Sequence, residues 1–195
     1  MSGGYFSEAG IFLVSTVFDL YILVVALRFL LQMVRADFYN PVSQFIVTLT
    51  NPPLRYMRRW IPGYAGIDWA CLILLLGVQV LELALVSLIG GQSPSIPGLL
   101  VLSLASLIRL CIYILMFAII VQVIISWVAP GAYNPLTVLL YRLTDFILRP
   151  ARRLLPPVSG VDFSPWLVLV ALQLGIILIV KPLLRLGYIL SGYVI

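Results

Sequence analysis

Long uninterrupted runs of apolar residues alternate with shorter polar segments along this chain. Four runs are long enough to supply the roughly 20 helical residues that a hydrocarbon core of ~30 Å requires, and they fall at residues 11–33, 69–89, 110–128 and 165–184. Because the runs are continuous and do not alternate residue by residue, helices are favoured over the strands of a membrane barrel. The pattern predicts an all-α membrane protein with four transmembrane helices.

The polar segment between the first two runs returns between the last two. Residues 39–79 align with residues 133–173 without a gap, and 14 of the 41 aligned positions are identical. Self-similarity at a fixed spacing indicates a duplicated unit. The repeated motifs are Tyr39-Asn40-Pro41 with Tyr133-Asn134-Pro135, the arginine-rich residues 54–62 with 148–156, and Gly66-Ile67-Asp68 with Gly160-Val161-Asp162.

The duplication divides the chain into three regions. We predict a first repeat at residues 1–92, an outer connector at 93–108 and a second repeat at 109–195, with two spans and one polar segment in each repeat. Residues 97–108 are apolar and come directly before Arg109. They fit either an interfacial helix on the outer face or an extension of a tilted third span, and the sequence leaves both open.

Composition agrees with a bilayer protein, because 63% hydrophobic and 10% charged residues leave too little polar surface for a soluble fold of 195 residues.

The placement of the arginines predicts the orientation of the chain in the membrane. Eight of the 12 basic residues lie in the two repeated segments: Arg35, Arg55, Arg58, Arg59, Arg142, Arg149, Arg152 and Arg153. We therefore expect loops 34–68 and 129–164 in the cytoplasm and both termini in the periplasm of a bacterial inner membrane, which makes the repeat parallel. Residues 1–10 carry no basic segment, so we expect a retained first helix rather than a signal peptide.

Each repeated segment predicts two short helices. Asn40 before Pro41, and Asn134 before Pro135, are typical of an N-cap followed by proline at the first helical position. In the first copy, Asn51-Pro52-Pro53 is expected to end this helix and start a second, amphipathic one. One face of that helix would carry Arg55, Arg58 and Arg59, and the matching face of the second copy Arg149, Arg152 and Arg153.

An amphipathic helix of this kind lies in the membrane interface, with its guanidinium groups among the lipid phosphates. Two interpretations remain open for the arginines: simple anchoring of the topology, or a binding site for a lipid headgroup or a protein partner.

Asp68 and Asp162 stand just before the second and fourth spans, where an aspartate caps the helix. The alternative is an ion pair with the preceding arginines, for which Arg59 is the expected partner of Asp68.

Charges inside the spans form a second candidate group. Asp19, Glu82 and Arg109 all fall in the outer leaflet, where an isolated acid is costly and a partner or a watery pocket is expected. We expect Glu82 to pair with Arg109; the alternative is a polar outward cavity, completed by Lys181, that binds or relays an ion. Gln79 and Gln173 match between the copies and could hydrogen-bond across helices. Arg28 is expected to reach the headgroups along the inner end of the first span.

The chain offers little for catalysis. It contains no histidine, and its two cysteines, Cys71 and Cys111, lie inside two different spans, so neither a metal site nor a disulfide framework is expected. Nucleotide-binding and nucleophile motifs are missing as well. We therefore predict a protein that is not an enzyme and has no cofactor.

The repeated motifs resemble those of the YggT family, also called YlmG in Gram-positive bacteria, which has relatives in chloroplasts. The resemblance rests on Tyr39-Asn40-Pro41, residues 54–62 and Asp68 in the first copy, and on Arg149-Pro150 and Asp162-Phe163-Ser164-Pro165 in the second. It covers residues 18–184, and the two-copy form is similar to the proteobacterial branch. The first copy departs from the family pattern at Tyr56, where proline is favoured, and at Ala70-Cys71, where Ser-Pro is favoured.

The resemblance implies an inner-membrane protein linked to assembly of membrane complexes, such as cytochrome b6f haem maturation in plastids, to division and membrane organisation, and to osmotic tolerance. It carries over no catalytic residue. Our main hypothesis is a scaffold or assembly factor that acts through the cationic helices; the alternative is a small transporter or channel for osmotic stress. Expected partners are anionic phospholipids and other membrane proteins, a homo-oligomer is left open, and nucleic acid is not expected.

Overall fold

The protein is all-α, as predicted. The computed structural model describes residues 4–64, 66–129, 131, 134–155 and 162–192, and no strand occurs in this part of the chain apart from one isolated bridge between Tyr64 and Ile67. The helices are α1 (Tyr5–Met33), α2 (Pro41–Met57), α3 (Trp69–Ile89), α4 (Ile96–Val128), α5 (Pro135–Leu154) and α6 (Ser164–Gly175), which runs through a π-helical turn (Ile176–Val180) into α7 (Lys181–Leu190).

Four helical stretches are long and apolar enough to span a bilayer: α1, α3, α4 and the continuous stretch Ser164–Leu190. Most of their side chains are not covered by protein, which suits helices surrounded by lipid. The chain is therefore a multi-pass membrane protein. α4 has 33 residues, about 50 Å at 1.5 Å per residue, so residues 97–108 are the first turns of the third span and not a separate interfacial helix.

The π-helical turn lies directly before Pro182. Proline has no N–H to donate, and its ring collides with the carbonyl four residues earlier. Widening the preceding turn relieves that collision and lets the helix continue to Leu190. The fourth span is thus six residues longer than the sequence pattern predicts at its C-terminal side.

The two hairpins stand side by side in the same orientation. Asn40, at the start of α2, donates its side-chain amide to the carbonyl of Pro135 at the start of α5, with 2.7 Å between Nδ2 and O. We call this end of the molecule, which also carries the paired arginines, the arginine end. At the opposite, connector end, the Ser95 hydroxyl before α4 donates to the carbonyl of Leu190 in α7.

Small residues bring the spans together at both ends. Val25 and Ala26 of α1 are fully buried against Ala70 and Cys71 of α3 in the main hydrophobic cluster. At the connector end, a Cβ on Gly98 of α4 would lie within 2.8 Å of the Ser191 backbone. Close backbone approach through small residues is the usual way in which membrane helices pack, because lipid provides no hydrophobic driving force between them.

The predicted break at Asn51-Pro52-Pro53 is wrong, because α2 runs unbroken from Pro41 to Met57. Its buried positions are Ser43, Ile46, Thr50 and Leu54, so one packed face continues straight through the prolines. The missing N–H groups of Pro52 and Pro53 affect only the exposed side. α5 is likewise a single helix with Pro150 inside it.

Candidate functional site at the arginine end

Asn40 and Asn134 start the two helices at this end. Asn40 Oδ1 accepts a hydrogen bond from the Val42 N–H at 2.9 Å. Asn134 accepts from the Thr137 N–H at 2.9 Å, and the Thr137 hydroxyl accepts from the Asn134 N–H at 3.0 Å, which completes a reciprocal capping box. Both caps occupy the positions that the Asn-Pro pairs predict.

Asp68 has two partners. Its Oδ1 caps α3 by accepting from the Cys71 N–H at 3.2 Å, and its Oδ2 forms an ion pair with Arg58. The predicted partner Arg59 is wrong: Arg59 instead stacks near the Tyr56 ring, 5.8 Å from its centroid. Asp68 is 5% exposed, so the cap and the ion pair together hold a buried carboxylate between the end of α2 and the start of α3.

The second repeat reproduces this arrangement. Arg152 Nε donates to Asp162 Oδ2 at 2.9 Å, and Asp162 Oδ1 accepts from the N–H and the hydroxyl of Ser164. Desolvation acts to raise the pKa of Asp162, but the hydrogen bonds from Ser164 and Arg152 outweigh it and hold that pKa below its usual value. Asp145 adds a second carboxylate here and pairs with Arg149 at 2.5 Å.

Arg28 is buried, with 4% of its surface exposed, so the prediction that it reaches the headgroups is wrong. Its guanidinium points into protein and donates to Thr50 Oγ1 at 2.6 Å and to the Val47 carbonyl at 3.1 Å. The Thr50 hydroxyl in turn donates a hydrogen bond to the Ile46 carbonyl at 2.7 Å. This contact ties the first span to the middle of α2.

The second repeat carries a neutral version of the same contact. Gln122 and Thr144 stand 94 residues after Arg28 and Thr50, and the Thr144 hydroxyl hydrogen-bonds to the side-chain amide of Gln122. Both threonines are fully buried. The duplicated fold therefore holds an arginine in one copy and a glutamine in the other at the same place.

A cavity lies beside this contact in each repeat. The first has a volume of about 710 Å³ and the second about 940 Å³. Their matched lining residues are Arg28 and Gln122, Gln32 and Ser126, Val47 and Tyr141, Arg58 and Arg152, and Asp68 and Asp162. The first cavity contains two arginines and one aspartate, whereas the second contains the pair Arg152 and Asp162 and has the aromatic side chains Trp127, Phe163 and Trp166 in its described wall.

The remaining arginines face outward. Arg55 of α2, Arg59 in the turn after α2, and Arg153 of α5 are exposed, and within the described ranges no ion pair holds any of them. Arg58, Arg149 and Arg152 have carboxylate partners. Of the six arginines that the sequence singles out, three are therefore structural ties and three are available to a partner.

The intramembrane charges do not assemble as predicted. Glu82 is buried and accepts from Gln79 Nε2 at 2.7 Å on its own helix, so the expected ion pair with Arg109 is wrong, and Gln79 does not bond across helices. Arg109 lies on the exposed face of α4, and Asp19 and Lys181 are exposed as well. Gln173 is exposed and has Ile176 where its counterpart has Glu82.

The sequence patterns considered above indicate neither the burial of Arg28 nor its match with Gln122. The 94-residue spacing offered a signal, since it pairs both residues with Thr50 and Thr144, two of the identical positions in the repeat. The motif residues Tyr133, Pro156, Gly160 and Val161 lie outside the described residues.

Comparison with known proteins agrees with the duplicated geometry. The family described as CCB3/YggT matches residues 7–89 and again residues 101–183. The second range is offset from the first by the same 94 residues as the sequence repeat. The chain belongs to the CCB3/YggT family. An uncharacterized protein of Pseudomonas aeruginosa is 44% identical over 179 residues, covering 91% of each chain.

Other bacterial relatives are similar over most of their length. An uncharacterized protein of Vibrio alginolyticus is 40% identical, covering 83% of this chain and 88% of its own. The uncharacterized protein YggT of Escherichia coli is 36% identical, covering 83% and 84%. No solved structure matches this chain. The names of these YggT-family relatives assign no activity.

Proposed function

We propose that this YggT-family chain is a non-enzymatic scaffold of the bacterial inner membrane, which organises or helps to assemble membrane complexes through cationic surfaces on the cytoplasmic side. The observation that carries the proposal is that some of the repeated arginines are held in ion pairs, whereas others are exposed without a carboxylate partner among the described residues. Arg58 and Arg152 fasten α2 and α5 to the following spans, while Arg55 and Arg153 on these helices, and Arg59 in the turn after α2, are exposed. A rigid helix that displays cations next to the lipid suits docking to anionic lipid and acidic protein surfaces.

Site-specific photocrosslinking in native membranes tests this function. A photoreactive amino acid at Tyr56 or Phe146, which are 67% and 45% exposed, reports what lies against each helix. We expect crosslinks to a recurrent membrane-protein partner that disappear in the triple variant Arg55→Glu, Arg59→Glu, Arg153→Glu, because reversed charge repels an acidic surface. Arg185→Glu, an exposed arginine of α7, is the matched control and should change nothing.

The alternative function is a small transporter or channel that contributes to osmotic tolerance. The buried Glu82–Gln79 pair favours it, because a carboxyl group inside a span often marks an ion route. The two functions rank the variants in opposite order. If growth under osmotic stress fails with Glu82→Gln while the arginine triple variant behaves like the parent, the scaffold proposal is refuted in favour of transport.

A further inference from the structure

The charge of Arg28 is not balanced within the described protein. Its three hydrogen-bond acceptors, Thr50 Oγ1, the Val47 carbonyl and Asn51 Oδ1, are all neutral. The first cavity also contains Arg58 and Asp68, which neutralise each other in their ion pair. The lining therefore has a net charge of +1 (two arginines minus one aspartate), and a buried cation without a counter-ion is unfavourable.

One edge of the Arg28 guanidinium, formed by Nε and Nη2, makes only one long hydrogen bond. Arg28 Nε is buried and has no hydrogen-bond partner. Nη2, on the same edge, reaches Asn51 Oδ1 only at 3.4 Å, longer than a normal hydrogen bond of 2.7–3.2 Å. The Nε and Nη2 edge is the one with which arginine grips two oxygens of a phosphate or carboxylate side by side.

The position of the cavity points to the source of the anion. Arg28 is five residues from the end of α1 at Met33, so its Cα lies about 7.5 Å below the end of that helix, close to the level of lipid headgroups. A volume of about 710 Å³ is within the range of roughly 300–1,000 Å³ that is typical of small-molecule sites. Basic pockets between membrane helices are known to bind phospholipid headgroups.

We propose that the first cavity binds the phosphate of a phospholipid on Arg28, with the Arg58–Asp68 ion pair as a neutral part of its wall. The second cavity lacks this site, because Gln122 supplies no charge in the matching place. The duplication has thus produced one cationic cavity and one neutral, aromatic cavity on the same scaffold. This site is separate from the exposed arginines, so its test does not depend on the docking function proposed above.

The experiment uses the full chain, delipidated in a mild non-ionic detergent. Its thermal unfolding is followed while phosphatidylglycerol, a phosphate-free galactosyl diacylglycerol, or inorganic phosphate is added. For the parent chain we expect a saturable rise in the unfolding temperature with phosphatidylglycerol, none with the galactolipid, and at most a weak effect of inorganic phosphate. After phosphatidylglycerol has been added back, native mass spectrometry should show one tightly retained phospholipid per chain.

Arg28→Gln is the matched variant, because the second repeat shows that this fold accepts glutamine against the buried threonine. It should raise the half-saturating phosphatidylglycerol concentration at least tenfold and lose the retained lipid. Arg185→Gln, which removes an exposed arginine from α7, should behave like the parent. Arg28→Lys keeps the charge but not the two-donor edge, and it should weaken binding less than glutamine does.

Three results would overturn the proposal. The first is a parent chain that responds equally to both lipids or to neither, which decides the matter even if a variant fails to fold. The second is an Arg28→Gln chain that binds phosphatidylglycerol as the parent does. The third is a strong, Arg28-dependent response to inorganic phosphate without any response to phospholipid, which would assign the cavity to a free anion.

Discussion

At the residue scale, the carboxylates that open the second and fourth spans combine two interactions. Asp68 caps the backbone of α3 and also holds Arg58 at the end of α2. The sequence offered capping and ion pairing as alternatives, whereas the structure shows both on different oxygens of one side chain. Removing such a group exposes an orphan helix N–H and frees an arginine at the same time.

A double-mutant cycle between Arg58→Gln and Asp68→Asn tests this arrangement. Asparagine caps a helix about as well as aspartate does, so Asp68→Asn keeps the cap on α3 and removes only the charge that holds Arg58. We expect a coupling of roughly 0.5–1 kcal/mol between the two residues, since Arg58 is 39% exposed and solvent screens the pair. Reversible unfolding in detergent measures this coupling. A parallel cycle between Arg59→Gln and Asp68→Asn should give no coupling; coupling there and none to Arg58 would contradict the geometry.

Asp162 makes stability depend on pH in the acid range. Its hydrogen bonds lower its pKa in the folded protein below the usual 3.8, so the unfolded chain binds the proton more readily. Stability from this group is therefore complete above about pH 3.8 and is lost as the pH falls through the lower folded value. Unfolding temperatures between pH 2 and 6 should show this loss in the parent and not in Asp162→Asn.

Whether a contact at this scale can be predicted from the sequence depends on how far apart its two residues lie along the chain. The caps at Asn40 and Asn134 depend on neighbours two or three residues away, so local patterns predict them. The burial of Arg28 depends on where α2 folds back, 22 residues later in sequence. Nothing in the local sequence separates an arginine whose side chain lies exposed at the membrane surface from one that is buried against a threonine.

At the scale of elements, the packing at the connector end depends on the close approach of α4 and α7. A Cβ at Gly98 would lie 2.0 Å from the Ser191 hydroxyl and 2.7 Å from its backbone nitrogen. A Cβ at Gly187 of α7 would lie 2.7 Å from the Leu102 side chain. These glycines let α4 and α7 pack against each other closely.

Gly98→Ala should therefore destabilise the fold. The added methyl group meets backbone that cannot move without separating α4 from α7, and overpacking of this kind costs about 1–3 kcal/mol. Gly77→Ala in α3 is the matched control, because a Cβ there has nothing within 4 Å. Alanine is a better helix former than glycine by about 0.5–1 kcal/mol, so this control should be neutral or slightly stabilising. Equal unfolding temperatures for the two variants would show that the close contact is unimportant.

Helix boundaries show where sequence reasoning fails at this scale. Prolines 52 and 53 predict a break, yet the buried face from Ser43 to Leu54 holds α2 together across them. Tertiary packing outweighs the local propensity because the lost hydrogen bonds fall on the exposed side. The same competition extends the fourth span past Pro182 by way of a π-helical turn.

At the scale of the whole molecule, the duplicated unit determines the architecture. The repeat length and the apolar runs suffice to predict four spans in two parallel hairpins. The hydrogen bond between Asn40 and Pro135 is consistent with that prediction, since it joins the same element of both copies. The difference in charge between the cavities comes from one substitution, Arg28 against Gln122, which the 94-residue spacing locates but whose meaning appears only when the surrounding walls are known.

The central claim is that both arginine-bearing helices lie on one membrane surface, the cytoplasmic one. Single cysteines at Tyr56, Phe146 and Gln92, in a chain with Cys71 and Cys111 replaced by serine, test it by labelling with a membrane-impermeant maleimide. We predict that positions 56 and 146 react only in inverted vesicles, whereas position 92, in the loop between α3 and α4, reacts in cells with a permeabilised outer membrane. Labelling of positions 56 and 146 from opposite sides, or of both from outside, would contradict the account.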